Sequence, residues 1–248
     1  MDHSELVAPE LARREEETMV EREARAAAMI ASRVPDVRFL LDHLLGDGGL
    51  ALDPQRIGLI GHSFGGWTVL ATTEVDPRIR AVVAMAPGGG SNPNPGILRL
   101  TLSFGWSRDV PTLFLAAEND TMIPLPGVAE LFHRTRSSKR MFILRRADHQ
   151  HFVDDVEGEH EAIRTASFPG EAAWIPAAMR PIAELASAEQ AHLFVRGLTL
   201  AHLDAVLRQV EAADRFLAHD VEVALAVRGV EGLRFNPGVL GSPTVPPG

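Results

Sequence analysis

Residues Arg56 to Glu74 read RIGLIGHSFGGWTVLATTE, and this stretch decides the fold. Ile57 to Ile60 is a short apolar run of the kind that forms a buried strand. Gly61-His62-Ser63-Phe64-Gly65 then fits G-x-S-x-G, and Trp67 to Glu74 can follow as a helix. A strand, a tight turn and a helix with serine at the apex push the hydroxyl clear of the backbone, as a nucleophile requires. Crowding across such a turn calls for Gly61 and Gly65 to carry no side chains. Gly66 lets the helix pack tightly on its strand. The Phe64 N–H falls near the helix N-terminus, where it can bind a developing oxyanion. The pentapeptide alone is a weak signal, matched by chance in roughly one such chain in ten. Its plain alternative is a glycine-rich turn before a helix. The apolar run before it, the helical run after it and the second glycine raise the catalytic reading.

Working outward, further strands alternate with helices. Upstream, Leu11 to Ser32 is rich in Ala, Glu and Arg and reads as a solvent-exposed helix laced with i,i+4 charge pairs. Pro35 can open the next helix at its first position, with Val37, Leu40, Leu41, Leu44 and Leu45 as its apolar stripe. Gly46-Asp47-Gly48-Gly49 ends it. Downstream, strands are expected at Arg80 to Ala86, Pro111 to Ala117 and Arg140 to Leu144, with a helix at Gly127 to Thr135. The loop Gly88 to Gly96 (GGGSNPNPG) lacks the Gly-Lys-Ser/Thr of a phosphate loop. From Glu157 the chain reads as mainly helical, with one or two long amphipathic helices from Ser187 to Leu217. Near-continuous apolar strands separated by helices imply an α/β fold, a parallel sheet with helices on both faces and a helical C-terminal region. One domain over residues 1–235 is expected. It comprises a charged lead-in (1–34), a catalytic core (35–155) and a helical part (156–235), followed by a Pro/Gly-rich tail (236–248).

Catalytic groups in such sheets follow the carboxyl ends of strands. The third strand runs into Glu118-Asn119-Asp120, and the fourth into Asp148-His149-Gln150-His151. The chain order Ser, Asp, His is that of α/β-hydrolases. In this reading Ser63 attacks a carbonyl and His149 takes and returns its proton. Asp120 holds the imidazole tautomer. Glu118 competes with Asp120, which is favoured by its place in D-x-x-x-P. His151 competes with His149, which comes first after the strand. The same region has a metal reading through His149, His151, Asp154, Asp155 and His160, but that leaves the serine turn unexplained. No metal and no cofactor are therefore expected. His192, His202 and His219 read as surface residues, and Trp106 and Trp174 as core or pocket wall.

Composition removes other classes. The 248 residues carry a formal net charge of −9 and no cysteine. The charge argues against a nucleic-acid surface. The absence of cysteine excludes disulfides and thiolate metal sites and fits a reducing cytoplasm. No apolar run approaches the roughly 18 residues of a membrane span. The acidic N-terminus has no apolar core of a signal peptide. The expected partner is a small-molecule ester.

With these residues in place, Pro35 to Asp155 resembles the dienelactone hydrolase branch of the α/β-hydrolase superfamily. It looks closest to bacterial relatives of platelet-activating-factor acetylhydrolase. Ile57-Gly58-Leu59-Ile60-Gly61-His62-Ser63-Phe64-Gly65-Gly66 and His149-Gln150-His151-Phe152 carry the resemblance. It implies a serine hydrolase of carboxylic esters, and the His-Gln-x-Phe run supports His149 over His151. The acetylhydrolase acid follows the strand after the serine turn, where this chain has Ala86. The acid is therefore shifted to Asp120, as in dienelactone hydrolases. The resemblance also implies earlier strands and a loop giving a second oxyanion N–H. No strand is read before Ile57, so an N-terminally incomplete hydrolase is expected. Its open sheet edge would favour self-association. The alternative is an impaired remnant that acts by binding or assembly.

Overall fold

The computed structural model describes residues 17–46 and 51–237. The lead-in before residue 17 and the tail from residue 238 lie outside the described residues. Helix α1 (Met19–Leu45) opens on a capping box. The Thr18 hydroxyl accepts from the Glu21 N–H at 3.2 Å, and the Glu21 carboxylate accepts from the Thr18 N–H at 2.8 Å. Two helices parted at Pro35 were expected. Instead a single helix of 27 residues runs through it. Proline forfeits one backbone hydrogen bond there. Ile30 and Leu41, one on each side of Pro35, nevertheless pack on the same core cluster, so the buried stripe is continuous and outweighs the break.

Five strands follow, β1 (Ile57–His62), β2 (Ile79–Met85), β3 (Thr112–Ala117), β4 (Lys139–Leu144) and β5 (Gly232–Arg234). They lie side by side in that order, the first four parallel and β5 antiparallel to β4. The three-residue β5 was not read from the sequence. It is too short and too polar to show a strand period, and its ladder to Phe142–Leu144 is what defines it. Helices α2 (Phe64–Val75) and α3 (Leu125–Arg134) connect the parallel strands. Beyond β4 come α4 (Val156–Thr165), α5 (Ile175–Ala178), α6 (Ala188–Leu207), α7 (Glu211–Arg215) and α8 (Val221–Val227).

Alternation along the strands feeds two cores. Val82, Ala84, Phe114, Ala116, Met141 and Ile143 pack with Leu70 of α2 and Leu131 of α3. Val83, Leu113, Leu115, Phe142 and Leu144 pack with Phe194 and Leu198 of α6 and with Leu217 and Val221. From Ala81 on, both faces of β2 are thus dry, as are those of β3, which explains their nearly continuous apolar sequence. The strand β1 is different. Among the described residues it pairs only with β2, and Ile60 on it is 47% exposed.

At the opposite end from the serine turn, charge joins the elements. Asp76, which follows α2 and is 1% exposed, accepts from Arg78 Nε at 2.9 Å and from Nη2 at 2.6 Å. The hydrogen bond from Arg78 holds its carboxyl below the usual range, against the opposing effect of burial. The same arginine reaches Asp42 of α1 at 2.6 Å.

His202 was expected on the surface and is instead buried beneath the sheet, with Nε2 3.2 Å from the Pro111 carbonyl. Sequence period places it on α6, but only the packed structure shows which face of that helix meets the sheet. Burial, then the charge of Arg140, pushes its pKa down to about 4 from an ordinary 6.5. The unfolded chain therefore binds this proton first. The stability that neutral His202 contributes is complete above about pH 6.5 and is lost as pH falls toward about 4. The urea midpoint should fall across that window. In His202→Gln the decline should be shallower, by up to about 1.4 kcal/mol per pH unit. An identical slope in the two proteins would refute the assignment.

Candidate active site

Ser63 stands between the end of β1 and the first turn of α2, at φ +57° and ψ −117°. Three backbone bonds fix it there. Its N–H donates to the Met85 carbonyl at 2.9 Å, and its carbonyl accepts from the N–H groups of Trp67 at 3.1 Å and Gly88 at 3.2 Å. A side chain on Gly61 would lie 2.2 Å from the Gly65 carbonyl oxygen, so glycine is obligatory there. The reading of Gly65 is corrected. A Cβ on it meets nothing within 4 Å among the described residues, because the crowding is between Gly61 and the Gly65 backbone. Gly66 is tight for another reason, since its Cβ would come within 2.9 Å of Pro87.

Three side chains from three loops form one hydrogen-bonded chain. His149 Nε2 lies 2.9 Å from Ser63 Oγ, and His149 Nδ1 lies 2.9 Å from Asp120 Oδ2. The other oxygen of Asp120 accepts from the N–H groups of Met122 at 3.0 Å and Ile123 at 2.7 Å. With both oxygens engaged, the carboxylate is oriented before any substrate arrives. Both His149 and Asp120 are buried. Nδ1 facing a carboxylate carries the proton, which leaves Nε2 as the acceptor for the serine hydroxyl. The Phe64 N–H opens α2, where the dipole favours negative charge.

The competing residues are engaged elsewhere. Glu118 turns outward to Arg145 at 3.1 Å and to the Arg146 N–H at 3.0 Å. His151 is fully buried, with Nε2 3.0 Å from the Ala186 carbonyl and Nδ1 3.1 Å from the Asp148 N–H. His160 Nε2 sits 2.8 Å from the Arg180 carbonyl. His151 thus ties the turn after β4 to the segment before α6, and His160 ties α4 to the segment after α5. Among the described residues, no group of three or more His, Cys, Asp or Glu side chains could hold a metal ion.

Sequence reasoning missed two neighbours of His149. The His62 ring packs on the His149 ring, with centroids 4.5 Å apart, and on Phe152 at 5.6 Å. Burial first, then the nearby charge of His149, drives the His62 pKa down to about 3. His62 is therefore a neutral wall beside the His149 ring at neutral pH. The variable position of G-x-S-x-G gave no sign of this. The second neighbour is Asp148, 1% exposed, beside His149 in sequence. Farther out, Arg33 of α1 lies 4.1 Å over the Phe64 ring. Of the tryptophans, Trp106 packs against the first core and Trp174 donates to the Pro95 carbonyl at 3.0 Å.

A cleft of ≈ 270 Å³ opens beside the Asp120 loop. Gly88 to Gly90 and Leu98 form one wall, and Met122, Ile123 and Pro124 the other. Its lining is mainly apolar, with Glu130 at one end bound to Ser91 at 2.7 Å and to Arg134 at 3.1 Å.

Residues 49–168 match the family model described as PETase, PET hydrolase-like. The chain is 29% identical over 96 residues to the bis(hydroxyethyl) terephthalate hydrolase of Streptomyces coelicolor, covering 38% of this chain and 27% of that protein. It is 29% identical over 132 residues to the platelet-activating factor acetylhydrolase of Cavia porcellus, covering 49% and 25%. To cutinase 2 of Thermobifida cellulosilytica it is 29% identical over 109 residues, covering 42% and 37%. The matched region thus spans 25% to 37% of the length of these relatives. Among solved structures, a ferulic acid esterase from Streptomyces cinnamoneus superposes with a TM-score of 0.53 at 24% identity. That superposition covers 75% of this chain and 50% of the esterase. It shows a shared fold.

The glycine geometry separates two variants that a motif would treat alike. Gly61→Ala should cost more than about 3 kcal/mol or abolish folding, because backbone must move. Gly65→Ala should stay within about 1 kcal/mol of wild type. Urea denaturation of the two proteins checks this, and equal destabilisation would contradict the contact geometry.

Proposed function

We propose that the chain is an ester hydrolase of the α/β-hydrolase type, like the proteins it resembles, and that it cleaves carboxylic esters through Ser63, His149 and Asp120. The observation that carries the reading is the continuous chain from Ser63 Oγ through His149 to Asp120, with both links at 2.9 Å. Nucleophile, base and orienting acid converge from the ends of β1, β4 and β3.

Chemistry follows from the geometry. Ser63 Oγ bonds to the ester carbonyl carbon as its proton passes to His149 Nε2. The carbonyl oxygen gains the charge and turns toward the Phe64 N–H. Asp120 stabilises the imidazolium. His149 returns the proton to the departing alkoxide, so the alcohol leaves and an acyl-serine remains. Water then attacks the acyl carbon while His149 takes its proton. Collapse of that intermediate breaks the bond to Ser63 Oγ, which regains the proton, and the carboxylic acid departs. The mainly apolar cleft at Met122 and Ile123, two and three residues after Asp120, supports a reading in which it takes an apolar part of the substrate. No step calls on a cofactor.

Ser63→Ala should lose labelling by a fluorophosphonate and at least about 10³-fold of its ester turnover, with an unchanged circular dichroism spectrum. Equal labelling of the two proteins would sink the reading.

A second reading, an impaired hydrolase that acts by binding or assembly, rests on β1. This strand has one partner among the described residues, and a half-exposed Ile60 lies on it. An unpaired strand is a template for another chain. In the complete fold a loop after a strand that precedes the serine-turn strand supplies a second oxyanion N–H, and among the described residues no strand precedes β1. Loss of one donor costs about 10²–10³ in kcat. Under this reading the purified chain should form dimers or larger species by light scattering and turn over esters slowly. A stable, fully active monomer would exclude it.

A further inference from the structure

We propose that Asp148 is the positioning residue of this site. Its buried carboxylate clamps the loop after β3 to the loop after β4 and so sets the contact between Asp120 and His149. The proposal rests on the reading of Ser63, His149 and Asp120 as the reacting set.

The two loops face a common difficulty. Asp120 and His149 lie 29 positions apart, on separate strand ends, and their side chains must meet at 2.9 Å. The ladder of β3 to β4 ends at Ala117 and Leu144, so the sheet does not fix what lies beyond. Asp148 spans that gap. Its Oδ1 accepts from the Thr121 N–H at 2.7 Å and from the His149 N–H at 2.7 Å. Its Oδ2 accepts from the Thr121 hydroxyl at 2.8 Å. One carboxylate thus holds the backbone of the residue after the acid and the backbone of the base itself. A second strap, from the Asn119 N–H to the Ala147 carbonyl at 2.8 Å, runs alongside.

Capping a turn does not account for this arrangement. Asp148 precedes the short 3-10 turn His149–Phe152, and a cap explains the bond to His149. It does not explain two bonds to Thr121, 27 residues away. No cation is paired with Asp148 among the described residues. A buried carboxylate held only by neutral donors is costly to desolvate, and an apolar side chain would pack the site at lower cost. What that apolar side chain could not do is grip both loops at once.

The test uses Asp148→Asn in the full chain, with Thr121→Val and Thr121→Ser. The asparagine presents an NH₂ where donors now point, so both loops should loosen. Displacements of about an ångström cost up to roughly 100-fold in rate. In Asp148→Asn, kcat on a p-nitrophenyl ester should fall roughly 10- to 100-fold, with KM within about two-fold of wild type. Thr121→Val, which removes only the hydroxyl bond, should show a smaller fall in kcat at the same KM. Thr121→Ser should restore it. A folded Asp148→Asn with kcat within about two-fold of wild type, or a loss confined to KM, would overturn the proposal. If Asp148→Asn does not fold, Thr121→Val decides, and an unchanged kcat there overturns it. Proton NMR keeps this test separate from the function itself. The far-downfield signal of the His149 Nδ1–H bonded to Asp120 should be sharp in wild type and broadened or lost in Asp148→Asn. That readout holds even if the wild-type chain turns over no ester, and a signal that survives unchanged refutes the clamp.

Discussion

Ser63 is held at φ +57°, a conformation that costs a residue with a side chain on the order of 1–3 kcal/mol. The backbone bonds to Met85, Trp67 and Gly88 hold it there. Two of those partners belong to the end of β2 and the segment just after it, so the turn depends on the β1–β2 ladder. The third opens α2, whose Trp67, Val69 and Leu70 are buried in the first core. The strained residue is therefore over-determined from both sides. Gly61 and Gly66 are the positions where this closeness of backbone to backbone leaves no room for a side chain.

Other strand ends show the same device. Ala86 after β2 and Arg146 after β4 also have positive φ, at 39° and 49°. Each turns the chain abruptly at the carboxyl edge of the sheet. Ala86 is fully buried, with its N–H on the Leu115 carbonyl at 2.8 Å. That bond spends the end of β2 on structure, and the carboxylate that meets His149 comes from the loop after the next strand, from Asp120. The hydrogen-bonded set of Ser63, His149 and Asp120 thus sits where the loops are doubly tied, and the long loop from Pro87 to Val110 is left to shape the cleft.

Much of this was legible in the sequence, for a physical reason. Strands buried on both faces must be apolar throughout, so β2, β3 and β4 were visible within a residue or two. The residues that meet at the site were visible because each lies within a few residues of the carboxyl end of a strand, Ser63 after β1, Asp120 after β3 and His149 after β4. What escaped depended on packing between distant segments. Pro35 looked like a boundary until Ile30 and Leu41 were seen on one core. His202 looked exposed until α6 was seen against the sheet. Gly65 looked sterically required because the motif names it, whereas the contact belongs to Gly61. Asp148 was hidden by its neighbour, since a single Asp before a His carries no pattern. Its meaning lies in Thr121, 27 residues earlier.

The buried histidines argue that one chemical property was placed with care around this site. The His62 ring packs on His149, His151 lies two residues beyond it in the chain, and burial depresses the pKa of both. Neutral imidazoles can pack against His149 and within the loop that carries it without opposing the positive charge that the proposed reaction would place on His149. An ammonium or guanidinium in either place would do so at short range in a dry environment, where a charge acts with several times its strength in water. The carboxylates follow the opposite logic. Asp120 touches the imidazole directly, and Asp148 stands on its backbone side, so both carboxylates carry the sign that would favour protonated His149 in the proposed reaction. Fold and electrostatics converge here, because the loops that bury these groups are the same loops that the sheet and the serine turn hold in place.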